Sequence, residues 1–573
     1  MSYESEHLTI AVEEEIGEPE LFVGRQRDLD FFLRWIELAR KKIGQSQVIL
    51  ARKRRGKTAL VQRLYNILYS RNDPEIIPFY FRVPEGVMTT LEYSKLFMEH
   101  LFSQILGYLQ RNPDLIRRPL DWAELEEPSK NFPAMNAEYK RMTAYIAEDN
   151  PMAAWELARE AGHHLSMVMN VRIIQILDEF QYLNHFIYRD DTLTVKHELA
   201  TFYQKTGSSK VSPQIITGSY IGWLTRIVNH MVGRYAHYYL KSLPDDEALT
   251  CVYRYASIYG QKISDASAPY IAAVCYNDPF YIACMFAHDD LEKDLCDETS
   301  IRSTMEALTE KGGLIDNMWG EYIGLALQKV NDRVAKKAIL YLAHHDPEDR
   351  TCDQMIEDLN LSLTREQLAE RLNTLAQADL INKVSDIRFK GLGDPVFAMV
   401  FRKIFAESIQ DIKPEQIKAD IDEELKVLRG KVSYYKGVAA EARMSARVIF
   451  MGMDRRRAAD VFYGAPSDLE LRPFVSAYSH VFQLSEGKRI AVDLFAKTRN
   501  EGPDLIFEVK DWKKPPGRQE IDTFVALKKR LEPHLERPTH FVFHSEEKLS
   551  DEIRQYILEQ GLWHSDGETA GNS

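Results

Sequence analysis

Apolar residues come along this chain in two rhythms. The first is the short unbroken run: Val48 to Leu50, the segment IIPFYFRV, Ile173 to Leu177, and Gln214 to Thr217. Runs of this kind, apolar toward both faces, predict parallel strands covered by helices on either side. The second rhythm is helical. It appears in TALVQRLYNILYS straight after the first strand and dominates from about Asp245 to Asp332. RVAKKAILYLAHHD, TCDQMIEDLNL and TREQLAERLNTLAQADLI then predict three helices, and the β-like NKVSDIRFKGLGDPVFAMVF completes them as a wing. After Pro414 a helix carries Ile417, Ile421, Leu425 and Leu428 as one docking stripe and ends at Gly430. A last helical stretch, YYKGVAAEARMSARVIF, leads to a hairpin and the strand LIFEVKDW.

Composition narrows the classes. A chain of 573 residues is too long for one core and divides into three or four domains. The net charge of -13 excludes a protein coated in basic surface, so any nucleic-acid contact has to be local. Five cysteines without a C-x-x-C pair read as reduced thiols rather than metal ligands. The acidic start MSYESEHLTIAVEEEIGEPE lacks the order of a signal peptide, and no run is long enough to span a bilayer. A cytoplasmic protein without a membrane partner is expected.

Candidate chemistry starts at the turn after the first strand, ARKRRGKT, Ala51 to Thr58. In the pattern G-x-x-x-x-G-K-[ST] a tight turn aims backbone N–H groups at phosphate oxygens, while the lysine and the hydroxyl reach phosphate and Mg2+. Gly56, Lys57 and Thr58 supply that chemistry here, at a helix N-terminus that favours an anion. Ala51 replaces the entry glycine. Arg52, Lys53, Arg54 and Arg55 fill the middle, as part of the nucleotide site or as a solvated basic turn. The second half of such a site is the strand Ile173 to Leu177, which ends in Asp178 and Glu179: Asp178 to orient Mg2+, Glu179 to position or deprotonate water. Thr217 or Ser219, at the end of a further strand, is placed to touch the γ-phosphate or the water. Arg234 precedes another β run, as a sensor of transferred phosphate or, equally, as a surface arginine.

LFVGRQRDLDFFLRWI, ARKRRGKT, ILDEFQYL, ITGSYIGWL and GRYAHYYLKSLP resemble, in this order, the archaeal-type ATPases of the STAND and AAA+-like group. The resemblance implies that Phe22, Val23, Gly24 and Arg25 lie near the adenine, that VCYNDPFYIACMF belongs to a helical lid, and that the winged helix serves as a regulatory hinge. Its last predicted helix carries Glu366 and Glu370 beside Arg365 and Arg371, a poor match to a phosphate backbone.

A second set of polar residues lies near the C-terminus. Asp493 falls in the second arm of the hairpin, and Glu508 and Lys510, two apart on the next strand, point to one face. Two carboxylates and a strand carbonyl make an oxygen site for Mg2+, and a lysine beside them stabilises charge on a phosphate. Tyr435 to Trp563 resembles a PD-(D/E)xK nuclease of the restriction-endonuclease-like class, close to the Mrr and Holliday-junction-resolvase branch. The resemblance implies that Glu441 is a helical acid near the metal and Gln519 a supporting polar residue. Asp504 stands in the turn before the E-x-K strand and reads as a turn residue. Arg455, Arg456, Arg457, Lys513, Lys514, Arg518, Lys528 and Lys529 supply local positive charge for DNA.

The expected fold is therefore multidomain α/β: residues 1–20 a flexible acidic N-terminus, 21–245 a P-loop ATPase sheet, 246–332 a helical lid, 333–405 a winged helix, 406–434 a linker helix, 435–563 a restriction-endonuclease-like α/β domain and 564–573 a flexible tail. The expected activity is an ATPase, with ATP and Mg2+, that controls an Mg2+-dependent DNA endonuclease, in antiviral defence or control of mobile DNA. The alternatives are a nucleotide-gated DNA-binding scaffold with a silent nuclease fold and a recombination or repair ATPase. DNA is the expected partner through the C-terminal domain, and assembly into a homo-oligomer stays open.

Overall fold

A computed structural model describes residues 8–189, 199–219, 221–287, 294–327, 333–410, 439–484, 489–499, 502–510 and 516–566. The four apolar runs form strands, joined by a fifth: β1 (Ser46–Leu50), β2 (Ile76–Arg82), β3 (Arg172–Asp178), β4 (Gln214–Thr217) and β5 (Tyr235–Tyr239). They pair in parallel in the order β2, β3, β4, β1, β5. The strand that follows the acidic pair in sequence thus inserts between it and the loop strand, and β2 lies at the sheet's edge. Every residue of β1 and β4 is buried, which is why neither shows alternation. The helix α1 (Lys57–Arg71) leaves β1 through the loop.

Three longer helices, Thr90–Leu109, Pro133–Ala147 and Pro151–Met169, fill the connection from β2 to β3. Beyond β5 the chain is helical, beginning with α2 (Asp245–Ile258), as its pattern predicts. Three further helices, Arg333–His345, Cys352–Asp358 and Arg365–Gln377, precede or flank a small antiparallel sheet of Arg350–Thr351, Asn382–Lys383 and Arg388–Lys390. The segment DPVFAMVF, expected as wing strand, is instead the start of helix α3 (Pro395–Gln410). Asp394 accepts the N–H of Phe397 at 3.1 Å, and proline needs no N–H in a first helical turn. The expected linker helix around Ile417 to Leu428 lies outside the described residues.

The C-terminal part holds helix α4 (Ala439–Met453) and a mixed sheet of β6 (Phe474–Gln483), β7 (Arg489–Thr498), β8 (Asp504–Lys510), β9 (Thr539–Ser545) and β10 (Trp563–Asp566), in that order. The first three run antiparallel and the last three parallel, with helix α5 (Arg518–Leu531) between β8 and β9. Two apolar clusters, one around Met444, Val448 and Phe507 and one around Phe524, Phe541 and Phe543, cover the sheet.

Both ends depart from the sequence expectation. Residues 8–20 are docked along α1: Asn66 accepts the N–H groups of Ala11 and Val12 at 3.0 and 2.9 Å, and Arg63 binds both carboxylate oxygens of the buried Glu14 at 2.8 Å. The acidic composition concealed partners that lie on α1, more than forty residues away. At the other end, His564, Ser565 and Asp566 are buried members of β10, so the ordered sheet passes the expected boundary at 563.

Candidate functional site

The loop from Ala51 to Gly56 turns through two left-handed residues, Arg54 at φ 64° and Gly56 at φ 82°. Gly56 supplies that conformation without strain. A Cβ placed on it would meet nothing within 4 Å, so the loop is open at this point. Ala51 has no positive φ, which explains why an alanine serves where the usual pattern has glycine. Lys57 opens α1, and its ammonium folds back to donate to the carbonyls of Ala51 at 2.6 Å and Arg52 at 2.8 Å. Burial pulls its pKa down to about 8, against the opposing fields of Glu179 and Asp178.

Asp178, at the end of β3, is the hub of the site. Its carboxylate accepts from Thr58 Oγ1 at 3.0 Å, Tyr80 OH at 3.2 Å, the Glu179 N–H at 3.0 Å and, closest, Thr217 Oγ1. Glu179 follows in a left-handed conformation, φ 54°, and is held by Gln181 Nε2 at 2.5 Å, the Ser219 N–H at 3.1 Å and the Ser219 hydroxyl. The oxygens of Thr58, Asp178 and Thr217 form one line at the C-terminal edge of three parallel strands. That is a donor set suited to a hard cation next to phosphate. Tyr80 and Gln181 were not foreseen; an aromatic hydroxyl in an apolar strand gives no signal of what it faces.

Two of the four basic residues in the loop are paired rather than solvated. Arg52 pairs with Asp278 and, at 2.7 Å, with Asp394; Arg55 reaches Asp278 at 3.1 Å. Arg52 also lies 4.7 Å over the ring of Tyr281, and Arg54 lies 4.9 Å over Phe280. Asp278 belongs to the expected lid, Asp394 to the start of α3. Tyr281 itself is core, and its hydroxyl donates to Asp394 at 3.0 Å. Lys53 makes no contact with this network among the described residues.

Arg234 requires a correction. It precedes β5, whose first residue pairs with Ser46 at the start of β1, whereas the loop leaves β1 at the other end. A parallel sheet has its loop chemistry at the strands' C-terminal ends, and Arg234 is exposed at the opposite edge. The arginine the structure does bring to the loop is Arg25, which donates to the carbonyls of Arg55 at 2.8 Å and Lys241 at 2.6 Å.

In the C-terminal sheet, Asp493 on β7 and Glu508 and Lys510 on β8 meet. Lys510 Nζ stands 2.5 Å from Glu508 and 3.9 Å from Asp493, and Asp493 accepts the Val509 N–H at 2.9 Å. Glu441 joins them from α4: burial first, then the charge of Asp493, lifts its pKa to about 7. Burial and Asp493 also raise Glu508. Among the described residues no group of three or more His, Cys, Asp or Glu side chains stands ready to hold a metal ion. Lys510 stands as the counter-ion of the two strand carboxylates.

Asp504 occupies the far end of β8, where it accepts the Thr498 N–H at 2.8 Å and stands 3.6 Å from Arg537, fastening the turn. Gln519 is exposed in the first turn of α5 and makes no hydrogen bond to the cluster among the described residues. Of the expected basic residues, Arg518 pairs with Glu552 and Arg457 with Asp460, while Lys513 and Lys514 lie outside the described residues.

No protein-family model matches the chain, and no curated protein matches it. Among solved structures it is similar to the Walker-type ATPase PABY2304 of Pyrococcus abyssi, at 16% identity and a TM-score of 0.44, over 66% of this chain and 96% of that one. It is also similar to the ORC2 protein of Aeropyrum pernix, solved with ADPNP and ADP, at 13% identity and a TM-score of 0.35, over 69% and 99%. A third likeness is to the RuvB Holliday junction branch migration motor of Thermotoga maritima, at 14% identity and a TM-score of 0.29, over 66% and 95%.

Proposed function

We propose that this chain binds and hydrolyses ATP at the loop Ala51 to Thr58 and that the nucleotide controls Mg2+-dependent cleavage of DNA by its C-terminal domain. The observation that carries the first half is the line of oxygens on Thr58, Asp178 and Thr217 above a buried lysine at a helix N-terminus. Thr58 and Asp178 would hold Mg2+, which when bound would supply neutralising charge beside the phosphates. Lys57 exchanges the carbonyls of Ala51 and Arg52 for phosphate oxygens. Glu179, aligned by Ser219 and Gln181, accepts the proton of an attacking water.

The second half rests on the convergence of Asp493, Glu508, Lys510 and Glu441 from three elements. Asp493 and Glu508 would hold Mg2+, which when bound would supply Lewis acidity beside the phosphodiester. Lys510, released from Glu508, faces the charge that develops on the phosphodiester. Glu441 assists by accepting a proton. The helices and small sheet from Arg333 onward act as a winged-helix hinge over the loop, because Asp394 reaches Arg52. We place the protein in the cytoplasm, in defence against foreign DNA or control of mobile DNA.

One observation favours a second reading, a nucleotide-gated DNA scaffold with a silent nuclease fold: Lys510 occupies the carboxylates that a metal would need. Incubating the protein with linear, circular, single-stranded and branched DNA, with and without ATP and Mg2+, separates the two. Cleavage of any form that depends on Mg2+ is expected. Binding without cleavage under every condition replaces the nuclease by the scaffold.

A further inference from the structure

One helical turn lies on the path between the two candidate sites. Glu247, in the first turn of α2, accepts the backbone N–H groups of Arg25 at 2.7 Å and Gln26 at 3.2 Å. Arg25 in turn holds the carbonyl of Arg55 inside the loop at 2.8 Å. The approach leaves no slack: a Cβ on Gly24 would stand 2.6 Å from Glu247 Oε2. The neighbouring Asp246 lies within electrostatic reach of Glu441 and adds negative charge to the C-terminal carboxylates. Successive residues of a helix point about 100° apart, so the pair can face two sites at once.

The helix that carries Glu441 is shared between two cores. On α4, which packs along α2, Ala442 and Ala446 are buried in the core of the helical region, while Met444, Val448 and Ile449 are buried in the core of the C-terminal sheet. The helix that carries Glu441 thus shares one packed face with α2. The seam is tied at a second place by Tyr478 of β6, whose hydroxyl accepts the Gly24 N–H at 2.7 Å and lies 3.4 Å from the Phe22 carbonyl. Arg499 pairs with Glu20 at 3.1 Å, and Arg443 of α4 pairs with Asp265.

We propose that nucleotide at the loop gates the C-terminal carboxylate site through α2 and α4, and that the arrangement with α2 packed along α4 is the closed one. The loop must turn its backbone N–H groups toward phosphate, which moves the Arg55 carbonyl and with it Arg25 and Glu247. A DNA phosphate approaching the closed site meets the charge of Asp246 as well as three carboxylates. Sliding of packed helices past each other is a known way for such small shifts to be passed on. The consequence for cleavage rests on the nuclease reading; the coupling itself rests on the seam alone.

The test pairs hydrogen exchange with DNA cleavage on the full chain, with and without ATP and Mg2+, ATP binding being followed by calorimetry. ATP is expected to speed exchange of residues 245–258 and 439–453 at least about fivefold, the lower end of ordinary coupling between sites. Asp246→Asn and Tyr478→Phe are expected to raise nucleotide-free cleavage by a similar factor of about five. Tyr478→Phe guards the test against a variant that merely fails to fold. Bound ATP that leaves exchange in both helices unchanged overturns the proposal, as does cleavage that ignores nucleotide in a chain that cuts. If the helices respond to ATP and no DNA is ever cut, the coupling stands and the nuclease reading alone falls.

Discussion

The two candidate sites handle charge in opposite ways. At the loop most charged groups already have a partner: Lys57 has two carbonyls, Arg52 and Arg55 have Asp278 and Asp394, and Asp178 and Glu179 are ringed by hydroxyl, amide and N–H donors. At the C-terminal site Asp493, Glu508 and Glu441 share one lysine, and two of the three carboxylates are pushed toward protonation. A satisfied site binds by exchanging partners, so its affinity is tuned by what it gives up. A site short of positive charge binds a cation because the cation relieves repulsion that burial has made expensive. The loop thus holds charge that is already compensated, and the carboxylate cluster holds more negative charge than its one lysine offsets.

That contrast breaks most visibly at the cluster. Asp493→Ala and Lys510→Ala should each slow DNA cleavage at least a hundredfold, since charge-stabilising groups of this kind contribute roughly 3 kcal/mol to a transition state. Nucleotide affinity, measured by calorimetry, should stay at the wild-type value in both variants. Asp504→Asn keeps the Oδ1 that receives the Thr498 N–H and should leave cleavage far closer to wild type. Loss of cleavage in Asp504→Asn but not in Asp493→Ala would move the catalytic aspartate to the other end of β8.

At the loop the largest effect belongs to Lys57. Lys57→Ala removes the buried ammonium and should weaken ATP binding by roughly ten- to a hundredfold, the range for hydrogen bonds to a charged group. The wild type should carry a pH signature as well. Lys57 is charged below about pH 8 and neutral above it in the free protein, whereas bound phosphates hold it charged. Binding above pH 8 must therefore take up a proton, and affinity should be flat below that pH and fall about tenfold per unit above it. Affinity that is level from pH 7 to pH 10 would show that this lysine does not meet the phosphates.

The cluster has the opposite signature. Glu441, with its pKa raised to about 7 by burial and by Asp493, is ionised only above neutrality. If its carboxylate must be charged, cleavage should decline by about tenfold for each unit below pH 7. Glu441→Gln should flatten that limb of the profile while lowering its plateau. A decline that persists unchanged in Glu441→Gln would assign it to Glu508.

Much of this architecture was legible because it is local. The buried strands announce themselves as apolar runs, and the residues that end them, Asp178 with Glu179 and Thr217 with Ser219, must lie at one edge of a parallel sheet. Asp493, Glu508 and Lys510 converge for the same reason: a hairpin and the period of two fix the face. What was not legible depends on partners far away in sequence. The acidic start looked free until Asn66 and Arg63 appeared beneath it. That Arg52 and Arg55 pair with acids was not legible because Asp278 and Asp394 stand more than two hundred residues further on. Arg234 was misjudged because a strand's direction in its sheet is not written in the residues before it. The helix at Pro395 was a different kind of miss, since an aspartate followed by proline is itself a helix-start signal.

The smallest predicted effect concerns the residue that makes the loop look defective. An entry glycine would matter if the chain had to adopt a left-handed conformation there, or if a methyl group blocked the phosphates. Ala51 has no positive φ, and its carbonyl rather than its side chain faces Lys57. Ala51→Gly should therefore leave ATP affinity within about twofold, less than the roughly 0.5 kcal/mol that separates meaningful from neutral surface changes. It should lower stability to urea by about 0.4–1 kcal/mol, because glycine has more conformational freedom to lose on folding. Gly56→Ala is the contrasting substitution: it forces a side chain into φ 82°, and should cost both stability and binding even though a Cβ there meets no neighbour within 4 Å. A gain in affinity of tenfold or more on Ala51→Gly would show that the alanine holds nucleotide off, and that the four arginines and lysines behind it compensate for a loop that is blocked at its entrance.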